Sequence, residues 1–214
     1  MEWVELSALV QDIQTSYLLN ELKDANVKDF VNDSMIQIKY MSKTLSDFRN
    51  FLKPSTKKKL FSITKSLSEI NEIIGKQVFY SNIEMNFNYK NENEELLIYG
   101  YENEFKQVLL NLINNAKNKI IEKDIDFRKK AKIDINIKRT SNFNIIEIID
   151  DGGKIDDKII NSIFEPYFTT KEEGTGIGLY MAKVIIEDKM RGTITAKNDE
   201  NNVIFTIKLP HKKV

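Results

Sequence analysis

Apolar positions recur at helical intervals through residues 3–52 and then change rhythm. That first stretch contains neither glycine nor proline. Leu6, Val10, Ile13 and Tyr17 step by 4, 3 and 4, and Ile38, Met41, Leu45, Phe48 and Leu52 step by 3, 4, 3 and 4. The second series is a coiled-coil seam. The polar stretch "NELKDANVKD" between them predicts the link of an antiparallel helical hairpin. A lone hairpin leaves its seam in water. A second copy, paired through residues 3–52, is therefore the expected partner and completes a dimeric four-helix bundle. Packing onto the rest of the same chain is the other way to cover the seam.

In "FLKPSTKKKL" the proline forbids easy helix continuation and the lysines form a solvated link. This predicts a hairpin domain over 1–56 and a second domain over 57–214. In the second domain helical and strand periods alternate. "SITKSLSEINEIIGKQV" reads as a helix with Ile63, Leu67, Ile70 and Ile74 inward, and "IEMNFNYK" and "ELLIYGY" read as strands. A helix over 102–122 follows, then strands "KIDINIKR" and "FNIIEIID", a glycine turn, a short helix, a loop and a longer helix. Strands "GTITAKN" and "VIFTIKLP" close the chain. The expected class is α+β: a helical hairpin, then an α/β sandwich whose mixed sheet is covered by helices on one face.

Four stretches of the second domain carry candidate chemistry. On the helix 102–122, Gln107, Asn111, Asn115 and Lys119 line up at intervals of four, opposite an apolar face of Phe105, Leu109, Leu112, Ala116 and Ile120. Asparagine is a mediocre helix former, but its carboxamide oxygen can ligate Mg²⁺, and a nearby lysine suits phosphates. An ordinary amphipathic helix with a wet polar face fits the same pattern. "IIEIIDDGGKID" runs a hydrophobic strand into Asp150, Asp151 and a glycine turn. An aspartate there can accept a hydrogen bond from an exocyclic amine while glycine admits a flat ring, although a plain tight turn needs the same residues. "IFEPYFTTK" sets three aromatics around Pro166, as the anchored end of a lid or as a structural plug. "GTGIG" lacks the GxxxxGK[ST] pattern of a Walker loop and the spacing of GxGxxG. What remains is a glycine run opening a helix, a site for an anion such as phosphate.

Composition narrows the classes further. Lysine plus arginine and aspartate plus glutamate each number 32, which argues against a general nucleic-acid binder. The absence of cysteine excludes disulfides and thiolate metal sites. No apolar run approaches the roughly 20 residues of a membrane span, and no secretory signal precedes the first helix. The expectation is a cytoplasmic protein, or the cytoplasmic part of a longer sensor, without direct membrane contact. The one histidine, His211, reads as a solvated tail residue.

In this order, "NLINNAK", "DDGGKI", "IFEPYFTTK" and "GTGIGL" resemble the asparagine, first glycine, phenylalanine and second glycine boxes of sensor histidine kinases. Those kinases share an ATPase superfamily with DNA gyrase, a heat-shock chaperone and a mismatch-repair protein. The hairpin, with "MSKTLSDFRNFLKP", is similar to their dimerisation and phosphotransfer domain. The resemblance implies that Asn115 ligates Mg²⁺, with Asn111 and Lys119 near the phosphates of ATP. It implies that Asp150 reads the adenine amine with Gly152 beneath the ring, and that Phe164 through Lys171, Thr170 included, form the base of a lid. Gly174, Thr175, Gly176 and Gly178 would hold phosphates, and Ile155 and Leu179 complete the nucleotide-binding set. The implied reaction is transfer of the γ-phosphoryl group to a histidine and then to the receiver domain of a response regulator.

Three departures stand out. Lys154 replaces the last glycine of the usual DxGxG; if that backbone needs φ > 0 it is strained, and otherwise it adds a cation. Asn118 stands where several relatives are basic. No acceptor histidine is found near the start of the first helix, so the chain either begins downstream of it or has lost it. Hydrolysing members place a glutamate where this sequence has Asn111, which cannot serve as a general base.

Overall fold

The computed structural model describes residues 2–89, 96–123, 130–171 and 174–210. It divides into two compact units, Met1–Lys53 and Pro54–Val214. In the first unit, helix α1 (Glu2–Leu18) and helix α2 (Asp24–Leu52) lie side by side. Ala8, Leu9 and Asp12 line one groove with Asp33, Ile36 and Gln37, the pairing of an antiparallel hairpin. The link is shorter than the polar stretch suggests, because α2 already starts at Asp24. The line between the two helices is partly polar: Leu9, Ile13 and Ser16 are half-buried on α1, and Phe30, Ser34 and Gln37 are half-buried or buried on α2. Several large apolar side chains face water, with Tyr17 69% and Ile36 62% exposed. Leu6, Met41, Leu45, Phe48 and Leu52 of the expected seams have side chains outside the described set.

The second unit opens on β1 (Lys59–Ser62), which pairs antiparallel with β3 (Leu97–Gly100). The Ser62 hydroxyl accepts from the Lys65 N–H at 3.3 Å and caps α3 (Ile63–Tyr80). Ile63, Leu67, Ile70 and Ile74 are all buried on α3. Strand β2 (Ile83–Tyr89) precedes β3, and helix α4 (Glu102–Glu122) follows it. Acidic residues fill the first turn of α4 and Lys119 lies in the last, as its macrodipole favours. Strands β4 (Ala131–Arg139) and β5 (Phe143–Asp150) come next, then helix α5 (Gly178–Lys183) and a π-helical segment, Val184–Lys189. Strands β6 (Thr193–Asp199) and β7 (Asn202–Pro210) finish the described chain.

The main sheet runs β2-β4-β5-β7-β6, with β2 and β4 parallel and every other pair antiparallel. Its helix-covered face is set by strand alternation. Ile133, Ile135 and Ile137 of β4 pair with Asp150, Ile148 and Ile146 of β5, and Ile148 and Ile146 pair in turn with Phe205 and Ile207 of β7. The apolar members of this grid are buried against α4, whose Phe105, Leu109 and Leu112 are at most 1% exposed. On the opposite face the rungs are polar: Asn86 donates to Asp134 at 3.0 Å and Lys138 to Glu147 at 2.6 Å.

Two local expectations change. Strand β1 forms where the sequence suggested a solvated link. The short helix expected after the glycine turn is instead a chain of separate turns, in which Ile160 N–H bonds the Asp156 carbonyl and Glu165 N–H bonds that of Ser162.

Candidate functional site

The same alternation that buries Ile146 and Ile148 carries Asp150 to the covered face at the end of β5, where it is 1% exposed. Its Oδ1 accepts the Gly152 N–H at 2.9 Å. Burial pushes the Asp150 carboxyl up to about 6, against the nearby Lys119 ammonium and the Gly152 N–H. A side chain at Gly152 would lie 2.7 Å from Asp150 Oδ1 and 2.9 Å from Lys119 Cγ, so α4 itself demands glycine there. Gly153 takes φ 92°, the conformation only glycine adopts readily, and Lys154 is exposed without a left-handed backbone. Lysine at the third position of the motif is therefore unstrained.

Several side chains brace this turn from outside. The Lys119 ammonium donates to the Gly153 carbonyl, and Lys123 donates to the Asp151 carbonyl at 3.2 Å. The Asp151 carboxylate takes the Lys132 N–H at 2.7 Å. From β6, Asn198 accepts the Ile155 N–H at 3.0 Å and donates to the Ile155 carbonyl and to Asp157, each at 2.7 Å. Asn198 and Lys123 carry no motif, and only the folded strand order brings β6 beside residue 155.

The line expected on α4 is present. Asn111, Asn115 and Lys119 are half-buried along it. Asn111 and Lys119 are eight residues apart, about 12 Å along the axis. Lys119 sits at the Asp150 end. At the other end Asn111 Oδ1 is 2.5 Å from where a Gly178 side chain would begin. Asn111 Nδ2 is buried with no hydrogen-bond partner among the described residues. Such an orphaned donor is expensive unless an acceptor oxygen reaches it.

The glycine stretch folds around its own neighbours. Gly176 has φ 65°, and a side chain on it would run into the backbone of Tyr167, itself left-handed at φ 64° and 76% exposed. A side chain on Gly174 would meet the Thr169 hydroxyl. Of the three aromatics, Phe164 docks edge-on against Phe205 at 6.4 Å, whereas Tyr167 stands in water. Thr170 and Thr175 are exposed, Leu179 is half-buried, and Lys171 reaches Glu122 on α4 at 3.4 Å. The structure thus gathers Lys119, Asp150, Gly152 and Ile155 at one end of the α4 line and Asn111 and Gly178 at the other. Among the described residues no cluster of acidic, histidine or cysteine side chains could hold a metal alone. The donors that fit a hard cation here are carboxamide oxygens such as that of Asn115, supplemented by a ligand's own oxygens.

A family profile described as histidine kinase-, DNA gyrase B-, and HSP90-like ATPase matches residues 100–213. Sporulation kinase A of Bacillus subtilis is 29% identical over 170 residues, 78% of this chain, so the chain spans 27% of that kinase. The catalytic domain of histidine kinase ThkA, solved nucleotide-free, superposes with a TM-score of 0.63 at 30% identity over 72% of this chain and 96% of that domain. Histidine kinase ThkA in complex with the response regulator protein TrrA aligns over 99% of this chain and 58% of that one. Its TM-score is 0.61 at 20% identity, a likeness of fold.

Proposed function

The chain belongs to the histidine kinase-, DNA gyrase B-, and HSP90-like ATPase family, and from that premise we propose that it is the catalytic portion of a two-component sensor histidine kinase, binding Mg-ATP and joined to a dimerising hairpin. The observation that carries this reading is Asp150, a buried carboxylate at a strand end that accepts the Gly152 N–H beside bare glycine backbone. A charged acceptor in low dielectric binds an exocyclic amine strongly and specifically. Asp150 takes the adenine amine, with Gly152 and Ile155 bordering the ring. At the other end of α4, Asn111 Nδ2 donates to a phosphate oxygen. Gly174, Thr175, Gly176 and Gly178 offer backbone N–H groups to the same anion, with Thr170, Lys171 and Leu179 around it and Phe164 anchoring the lid. Asn115 would hold Mg²⁺ through its carboxamide oxygen, and the ion would offset the charge of the phosphate oxygens.

Positioning and charge stabilisation are most of what phosphoryl transfer asks of a protein. The γ-phosphorus loses its bond to the bridging oxygen as a bond to a histidine nitrogen forms, and ADP departs. The group then passes to an aspartate of a response regulator, the partner class seen with ThkA. No histidine precedes His211 in this sequence, so residues 1–210 do not themselves supply the acceptor. Asn111 cannot activate water as a base, which favours transfer over hydrolysis. The outward apolar residues Val10, Tyr17, Val31 and Ile36, at 47%, 69%, 49% and 62% exposure, support pairing of two hairpins.

Calorimetry with Mg-ADP tests the pocket. Asp150→Asn should weaken binding by about a hundredfold, the worth of a charge-assisted hydrogen bond. Unchanged affinity would remove Asp150 from the base.

A further inference from the structure

Lys119, like Lys123, is turned toward the Asp150–Asp157 turn rather than toward the glycine stretch. Its stem lies against Gly152, whose absent side chain leaves room for Lys119 Cβ and Cγ, and its ammonium ends on the Gly153 carbonyl. We propose that Lys119 is a positioning residue for the base end: parked on that carbonyl, its ammonium holds the Asp150 carboxyl in the charged form that accepts a hydrogen bond from an exocyclic amine. This rests on the reading of Asp150 given above.

The surroundings of Asp150 make the role specific to Lys119. Its strand neighbours, Ile133 on β4 and Val203 on β7, carry no charge. Facing it from α4 are Lys119 and Lys123, and from the turn Asp151 and the Gly152 N–H. Burial drives the carboxyl upward and Asp151 adds to the push. Lys119 is the strongest opposing influence, ahead of the Gly152 N–H, with Lys123 a weaker one. Burial in turn lowers Lys119 below the ordinary lysine value, and the charge on Asp150 opposes that. Lysine adds a second function here by tying the turn to α4. The closed latch therefore favours the ionised form of Asp150.

The test is carbon-13 NMR titration of the Asp150 carboxyl in the whole chain from about pH 4 to about pH 9, in parallel with Mg-ADP calorimetry. Lys119→Met keeps the stem and removes the charge, and should raise the Asp150 midpoint by about one unit. Lys119→Arg should bring it back near the wild-type value. The ratio of methionine-variant to wild-type affinity should fall about threefold between about pH 8 and about pH 6.5, following the ionised fraction. The NMR spectra report folding directly, and if methionine unfolds the chain, Lys119→Gln carries the same expectation. An unchanged midpoint in the neutral variant overturns the proposal. A midpoint that rises while ADP affinity ignores pH keeps the electrostatic link but overturns both the base-positioning role and the assignment of Asp150 to the purine.

Discussion

The two ends of the α4 line are built differently. The Asp150–Asp157 turn is braced by α4, β4 and β6 through Lys119, Lys123, Lys132 and Asn198. The 167–178 stretch, among the described residues, makes its hydrogen bonds to near neighbours in the chain, such as Gly174 N–H to the Lys171 carbonyl at 3.1 Å and Lys171 N–H to the Thr169 hydroxyl at 3.1 Å. Its ion pair to the body, Lys171 with Glu122, has the glutamate 60% exposed, where such pairs are worth little. One end is preorganised before a ligand arrives, and the other has its geometry set by two left-handed residues packed back to back. Binding at the first should be rigid recognition, and at the second an adjustment around the anion.

The difference can be broken most decisively at Asp150. The unfolded chain holds this carboxyl at 3.8 and the fold at about 6, so the folded state binds its proton more tightly. The ionised group destabilises the fold. That penalty is absent at low pH, grows as pH rises from 3.8 toward 6, and is complete above it. Asp150→Asn retains an acceptor for the Gly152 N–H and should stabilise the ligand-free domain by up to about 3 kcal/mol at neutral pH. Thermal melts should show that gain vanish near pH 4. A variant less stable than wild type at pH 7 would mean that the pocket is not a preorganised charge site.

Gly176→Ala comes next, because its φ of 65° and the Tyr167 backbone both forbid a side chain. Mg-ATP affinity should fall about tenfold while adenosine affinity stays unchanged. Asn198→Ala should do the converse in kind, weakening adenosine and ATP alike by about fivefold, since it frees Ile155 at the braced end. Exchange of these two patterns would reverse the assignment of the ends. Lys171→Ala should have the least effect on domain stability, within about 0.5 kcal/mol by chemical denaturation.

Much of this was legible in the sequence because it follows from local periods. The α4 stripe and the strand alternation that buries Asp150 both need only residue spacing. Helices α1 to α4, the polar line Asn111–Asn115–Lys119 and the glycine turn follow likewise. Strand β1 was hidden: four residues that begin on the last of three lysines, held by a partner that begins at Leu97. Lys119 sits on the Gly153 carbonyl rather than among the glycines that resemblance linked to phosphate, a placement decided by the approach of α4 to the turn. The braces were invisible for a related reason. Asn198 lies 43 positions from Ile155, and nothing in "AKNDENN" distinguishes a clamp from a hairpin turn. The hairpin shows the limit of periodicity from the other side. Its apolar spacing matches that of α4, but burial of such a stripe depends on what faces it.

The π-helical segment Val184–Lys189 lengthens one turn, with the Met190 N–H bonding the Ile185 carbonyl at 3.1 Å. That extra residue lets neighbours Ile185 and Ile186 both enter the core. It also sets the azimuth of everything upstream, because one residue removed would swivel α5 by about 100° about its axis. Gly178 would then no longer look at Asn111. The aim of the glycine stretch is thus tuned by a widened coil two turns downstream, a dial that lies outside every motif.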